Sequence, residues 1–344
     1  VKYDTQSNED STTFPSDPKQ IELSKALVEE LKQIGLKDAV MDEYGYVMAT
    51  LPSNTIKNVP TIGFISHVDT SPAVTGTDVN PVIHKNYQGG DIVLPKDPTK
   101  VIVASENPEL KEMIGLDIIT TDGTTLLGAD DKAGIAEIID AMNYLIQYPE
   151  IKHGTIRICF TPDEEVGRGT EKFDVKKYGA KYAYTIDGST RGEVETETFS
   201  ADAVVVKFNG KNVHPGYAKG KMINAVKIAA RFLEMLPKNK LSPETTEKRE
   251  GYVHPTQING NETQMVLKFI IRDFDAEKLK GYESFLKDLC QKTVAQFPGS
   301  SFDFEVVEQY SNMKYIHDQH PEIEANAIEA LKQLGIKPIN SAIR

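Results

Sequence analysis

Residues 126–146 read LLGADDKAGIAEIIDAMNYLI, and their spacing decides the fold class. From Lys132 onward, Ala133, Ala136, Ile139 and Met142 share one helical face, and Ile135, Ile138, Met142 and Leu145 share an overlapping one. The pattern predicts a helix over 132–146 with a broad apolar side, which must be covered by another layer. Ahead of it, Gly128 suits a tight turn, and Asp130 and Asp131 fall where the positive end of a helix favours carboxylates. A plain helix cap would account for both acids.

On either side of this helix lie short runs rich in β-branched and aromatic residues, at 46–51, 62–68, 155–160 and 182–186, bounded by turn formers. Strands alternating with helices argue for an α/β domain with a mostly parallel central sheet and helices on both faces. The 17–36 stretch adds an amphipathic helix: Asp17 can cap it, Pro18 suits its first turn, Leu23, Leu27, Leu31 and Ile34 share a face, and Gly35 ends it. Past Ser200 the texture changes to strand (203–208), helix (222–236), long strand (264–272), helix (275–297) and strand (302–307), which reads as a second, α+β unit. The helical pattern at 322–334 is assigned back to the first unit. The expected division is therefore a catalytic domain of 1–198 and 314–344 with an inserted α+β lid of 199–313.

A chain of 344 residues is long for a single core and can enclose a cleft. Hydrophobic residues make up 39% and charged residues 26%, the balance of a folded globular protein. A formal net charge of -12 with no basic run argues against nucleic acid as a partner. No apolar run reaches the roughly 20 residues that span a bilayer, which argues against a membrane partner. The opening VKYDTQSNED is polar, without an initiator Met or a signal-peptide core. Two cysteines, Cys159 and Cys290, in separate apolar runs suggest neither a disulfide framework nor a thiolate metal site. A reducing, cytoplasmic setting is expected.

Four clusters of acids and histidine fall at expected strand ends, where open α/β sheets place their ligands. In FISHVDT, His67 and Asp69 are two apart on a strand and point to the same side, so that the carboxylate can hold the ring. In LLGADDKAG stand Asp130 and Asp131. In FTPDEEVG, Asp163, Glu164 and Glu165 follow an apolar strand directly, and crowding them at a core edge costs repulsion unless cations sit among them. In YTIDGS, Asp187 ends another apolar run. Each cluster alone is explained by solvated strand ends, caps or turns. Together they supply one imidazole and several carboxylates without cysteine, a donor set suited to zinc, manganese or cobalt. Two divalent cations and a bridging hydroxide would balance Asp130, Glu165 and Asp187, and that hydroxide is the nucleophile that hydrolysis near neutral pH requires.

The strings GFISHVDTSP, TTDGTTLLGADDKAGIAEI, FTPDEEVGRGTEKFDV, NVHPGYAKG and IIRDFD, in this order and spacing, resemble the peptidase T family, within the superfamily of dinuclear zinc aminopeptidases, carboxypeptidases and aminoacylases. The resemblance implies a metal-dependent aminopeptidase that releases the N-terminal residue from tripeptides, in peptide catabolism. It implies two zinc ions, with His67 and Asp187 on one, Asp130 bridging and Glu165 on the second. Asp69 would orient His67, and Glu164 would be the general base, taking a proton from the bridging water and passing it to the leaving amine. A cis Asp130–Asp131 peptide is also implied. From the lid, His214 would stabilise the oxyanion and Arg272 would grip the C-terminal carboxylate of the peptide.

The resemblance further implies one more zinc ligand, a histidine beyond a Gly-rich stretch that Arg344 would open as a substrate-binding residue. As read to SAIR, the catalytic domain is expected to be C-terminally incomplete. A homodimer formed through the lid is implied as well. The metal motifs are shared by dinuclear carboxypeptidases and acyl-amino-acid deacylases, which differ in the lid. A third reading is a non-catalytic chain that binds one metal or a peptide without turnover.

Overall fold

A computed structural model describes residues 1–344, which form two compact units, Val1–Asp187 and Gly188–Arg344. The first is built on a five-stranded sheet of β1 (Val40–Met41), β2 (Val47–Leu51), β3 (Ile62–His67), β4 (Ile156–Thr161) and β5 (Tyr182–Thr185), in the order β1-β2-β4-β3-β5. The pairs β3/β4 and β3/β5 are parallel, and β1/β2 and β2/β4 are antiparallel. The expected parallel arrangement is thus confined to the three strands β4-β3-β5, at or just beyond whose ends His67, Glu164, Glu165 and Asp187 fall.

Alternation along these strands sorts the core into two layers. Val47, Ala49, Leu51, Ile156, Ile158 and Phe160 face α1 (Lys19–Ile34) and α2 (Ala129–Gln147). Tyr46, Met48 and Cys159 face the opposite way, against Phe14, Phe173 and Tyr178 of the short α3 (Val175–Tyr178). Helix α1 buries Leu23, Leu27 and Leu31, each contributing about 1.5–3 kcal/mol, and stops where Gly35 turns left-handed at φ 118°. Asp17 accepts a bond from the Lys19 N–H, but Pro18 occupies the cap position. In α2 the backbone is non-helical at Asp130 and Asp131, so regular helix begins at Lys132 as the spacing predicts. Between β3 and α2 the chain makes an excursion with two small antiparallel ladders, Val82–His84 with Ile118–Thr120 and Ile92–Val93 with Val101–Ile102.

The second unit carries β6 (Glu193–Thr198), β7 (Ser200–Asn209), β8 (Tyr252–Gly260), β9 (Gln264–Asp273), β10 (Ser301–Tyr310) and β11 (Ile339–Ile343). Strands β7 to β10 make an antiparallel sheet in the order β8-β9-β7-β10, while β6 and β11 form their own parallel pair. Helices α4 (Ala225–Glu234) and α5 (Ala276–Val294) share an apolar core with the four-stranded sheet, centred on Val206, Phe208, Phe232, Leu267, Phe269 and Leu286. Two further helices, α6 (Lys314–His317) and α7 (Pro321–Gln333), precede β11. Cys159 and Cys290 are buried free thiols, and no helix is long and apolar enough to cross a membrane.

Candidate metal centre

His67 is the last residue of β3, opposite Thr161 at the end of β4. Glu164 and Glu165 follow β4, Asp187 follows β5, and the head of α2 brings Asp130. Three adjacent parallel strands thus bring residues at or just past their ends to one edge of the sheet, the crevice where α/β proteins bind ligands. The imidazole of His67 is buried. Its Nδ1 lies 3.0 Å from the Asp69 carbonyl oxygen and 3.3 Å from the Asp69 carboxylate. With Nδ1–H donated to Asp69, Nε2 is the atom turned toward Asp130 (2.9 Å), Asp187 (3.8 Å) and Glu164 (3.9 Å). Donor atoms of His67, Asp130 and Asp187 all lie within 4.8 Å of one another, a group able to hold a metal ion.

Second contacts fix this arrangement. The fully buried Asp69 accepts the Glu164 N–H (3.0 Å) with one oxygen and the Glu165 N–H (3.1 Å) with the other. Asp131, also buried, accepts from the Ser66 hydroxyl, the His67 N–H (3.0 Å) and the Gly134 N–H (3.2 Å), tying α2 to β3. Gly134 makes that approach feasible: a Cβ there would stand 2.0 Å from the Ile186 carbonyl oxygen and 2.5 Å from Asp131. The Asp130–Asp131 peptide is cis, as the resemblance implies.

The electrostatics favour positive charge at this edge. Burial alone would lower the His67 pKa, but the Asp69 hydrogen bond and charge, with Asp187 and Glu164, raise it to about 10. Burial pushes Asp187 up to about 7, with Asp131, Asp130 and Glu164 adding repulsion against the pull of His67. Burial likewise raises Asp131 to about 6 against the hydrogen bonds it accepts. Glu164 and Glu165 are raised too, chiefly by burial, with neighbouring carboxylates pushing up against the pull of His67. A cation at His67 Nε2 would displace the ring proton and relieve the same repulsion.

The structure therefore gathers His67, Asp69, Asp130, Glu164 and Asp187. Glu165 is anchored through its backbone beside them, and its carboxylate is outside the close three-residue group. The three acids 163–165 do not crowd together as their sequence suggests, because Asp163 turns away at φ 58° and is fully buried against Ser16 and Gln20. Asp131, Ser66 and Gly134 support the site, and sequence reasoning gave them no such part. Ser66 and Gly134 carry no charge to attract notice, and Asp131 could not be told from Asp130 by position alone.

The remaining residues of interest belong to the second unit. His214 precedes a turn, accepts the Gly216 N–H on Nδ1 (3.2 Å) and lines an open cleft of about 760 Å³ with Asn212, Met222 and Glu262. Arg272 donates to the carbonyls of Asp202 (3.3 Å) and Ile271 (3.0 Å), with its guanidinium 5.6 Å from the Tyr310 ring centre. Arg344 donates to the Thr246 and Glu250 carbonyls and the Thr246 hydroxyl, over the rings of Phe199 and Tyr252.

Residues 196–298 match the peptidase dimerisation domain family. Among solved structures, the chain is similar in fold to aminopeptidase PepT from Bacillus cereus, with a TM-score of 0.70 at 24% identity over 98% of this chain and 80% of that one. It is likewise similar to a tripeptidase from Staphylococcus aureus, with a TM-score of 0.72 at 22% identity over 99% and 82%. A Bacillus subtilis protein described as a dinuclear metal binding peptidase from the M20 family aligns with a TM-score of 0.60 at 14% identity, over 99% of this chain and 80% of that one. In sequence, peptidase T of Geobacillus thermodenitrificans is 51% identical over all 344 residues, which cover 84% of its length. On that identity, sustained from end to end, the chain belongs to the peptidase T family.

Proposed function

We infer that the protein is a metal-dependent aminopeptidase that releases the N-terminal residue from tripeptides. One observation carries this reading: a buried imidazole held on one side by Asp69 turns its other nitrogen to three carboxylates, Asp130, Asp187 and Glu164. The peptidase T relatives, and a structural neighbour described as a tripeptidase, support the substrate class.

The donor set of one imidazole and several carboxylates, with the ring fixed from behind, fits hard or borderline divalent ions. His67, Asp187 and Asp130 would hold one zinc ion, and Asp130 with Glu165 a second, with manganese or cobalt as substitutes. Such ions polarise the scissile carbonyl and lower the pKa of a bound water.

The chain's own residues do the rest. Glu164, raised above the ordinary range by burial, accepts a proton from the attacking water and returns it to the leaving amine. Asp69 holds His67 in the productive tautomer and fixes the backbone of Glu164. His214 would stabilise the oxyanion, and Arg272 and Arg344 would bind the substrate, Arg272 at the peptide carboxylate. These three now bond to neighbours in their own unit and would exchange those bonds for substrate.

The division into a catalytic domain of 1–198 and 314–344 and a lid of 199–313 belongs to the same reading. Its support is that β6 and β11 form a sheet separate from the one made by 200–310. A homodimer through the lid, cytoplasmic location and a place in peptide catabolism complete the proposal. The test is release of the N-terminal residue by the natural protein from a tripeptide panel, with and without chelator. Turnover should stop on metal removal and return with zinc, and an acetylated N-terminus should block it. Activity that survives complete metal removal contradicts the proposal, and cleavage of the acetylated peptide would point to a deacylase.

A further inference from the structure

We propose that Asp163, gripped by Ser16 and Gln20 from the head of α1, is a positioning residue that sets the turn carrying Glu164 and Glu165. Three successive backbone N–H groups in this turn are each held by a side chain distant in sequence. Gln20 Oε1 accepts from Asp163 N–H (3.1 Å), and the two Asp69 oxygens accept from Glu164 N–H (3.0 Å) and Glu165 N–H (3.1 Å). The Asp163 carboxylate answers by accepting the Gln20 amide (2.7 Å), the Ser16 N–H (2.6 Å) and the Ser16 hydroxyl. Gln20 and Asp163 both have 0% of their surface exposed, so these groups have no water to replace a lost partner.

The chemistry of the pair is specific. The Gln20 amide both donates to the carboxylate and accepts from the N–H, which neither a methionine nor an ionised carboxylate in its place can do. Asp163 also adopts φ 58°, a conformation that Asp tolerates better than most residues and that reverses the chain just before Glu164. The far end of the same loop is tied by Tyr46, whose hydroxyl donates to the Gly169 carbonyl (2.9 Å). Asp69 pulls this turn from the β3 side, and the Gln20–Asp163 pair holds it from the α1 side. Helix α1 thereby supports the reacting edge as well as covering the sheet.

The inference rests on the metallopeptidase reading, so its test needs one readout that does not use turnover. Zinc affinity of the chelator-stripped protein and tripeptide kinetics are measured for wild type, Gln20→Met, Gln20→Glu and the double variant Gln20→Glu/Asp163→Asn. Gln20→Met keeps the volume and removes both bonds. It should lower kcat by about 10–100-fold with KM little changed, and weaken zinc by about the same factor. Gln20→Glu sets two carboxylates face to face and should be impaired likewise. The double variant restores a donor and an acceptor with their roles exchanged, and should recover to within roughly threefold of wild type. A merely structural role would lower thermal stability without moving kcat or zinc affinity of the folded protein. Wild-type kcat and zinc affinity in Gln20→Met, or a double variant no better than Gln20→Glu, would overturn the proposal. If wild type hydrolyses no tripeptide, the functional reading fails alone, and the zinc affinities still decide the clamp.

Discussion

Both units gather carboxylates, but the β3 edge and the second unit's sheet partner them differently. In the second unit, Asp273 accepts the Tyr282 hydroxyl (2.6 Å) and the Asp275 N–H (2.9 Å). Asp202 lies 3.5 Å from the Lys280 ammonium, which also pairs with Glu283 (2.8 Å). Asp273 has its donors within its own sheet and helix, and Asp202, whose buried Oδ2 has no hydrogen-bond partner, has the Lys280 ammonium beside it. At the edge of β3, Asp130, Glu164 and Asp187 instead converge on one imidazole, with Asp69 behind the ring. No lysine or arginine is salt-bridged to any of these four. Carboxylates crowded around one buried imidazole repel one another unless a cation sits among them. The contrast therefore marks the first region as one where the chain supplies no lysine or arginine to its converging acids, and the second as one where Lys280 is supplied.

The comparison breaks most strongly at Glu164. Glu164→Gln keeps the shape and removes the proton acceptor, so kcat in a tripeptide assay should fall by about 10²–10⁴-fold. Asp69→Asn should weaken zinc binding by about 10–100-fold, read by calorimetry, because the ring loses its charged support and the Glu164 and Glu165 N–H groups lose an acceptor. Both effects belong to the first unit alone.

A smaller effect is expected in the pH dependence of the chelator-stripped protein. The folded state keeps a proton on Asp187 up to about 7 and on His67 up to about 10. An unfolded chain releases these at about 3.9 and 6.5. The native state thus binds more protons across this range, and stability should fall as pH rises from about 4 toward 10. Thermal melts should show a declining midpoint, and saturating zinc should reverse the decline in its upper part. Smallest of all, Tyr282→Phe removes one donor from buried Asp273 and should cost about 1 kcal/mol in a denaturant titration. Zinc stoichiometry should not change, which sharpens the contrast between the units.

Much of this was legible in residue order. Ile135, Ile138, Ile139 and Met142 announced α2, and the apolar runs at 62–68 and 155–160 became β3 and β4, with the site at their ends. The acids were legible as a set, and less so as individuals. Asp163 stands in a run of three acids, yet a positive φ sends it to α1. A signal existed, since Gln20 sits three residues before Leu23 on an otherwise apolar stripe of α1. Strand β8 escaped because it is a polar edge strand, exposed from Pro255 to Gly260 and with its register broken near Pro255. The two- and three-residue ladders of the 82–120 excursion are too short for periodicity to register.

Calorimetric titration of zinc into the chelator-stripped protein, repeated for His67→Ala, tests the central claim most directly. The account predicts tight binding accompanied by proton release to the buffer at neutral pH, with both largely lost in His67→Ala. Weak binding without proton release, or binding that His67→Ala leaves intact, would mean that these carboxylates are not gathered around a cation.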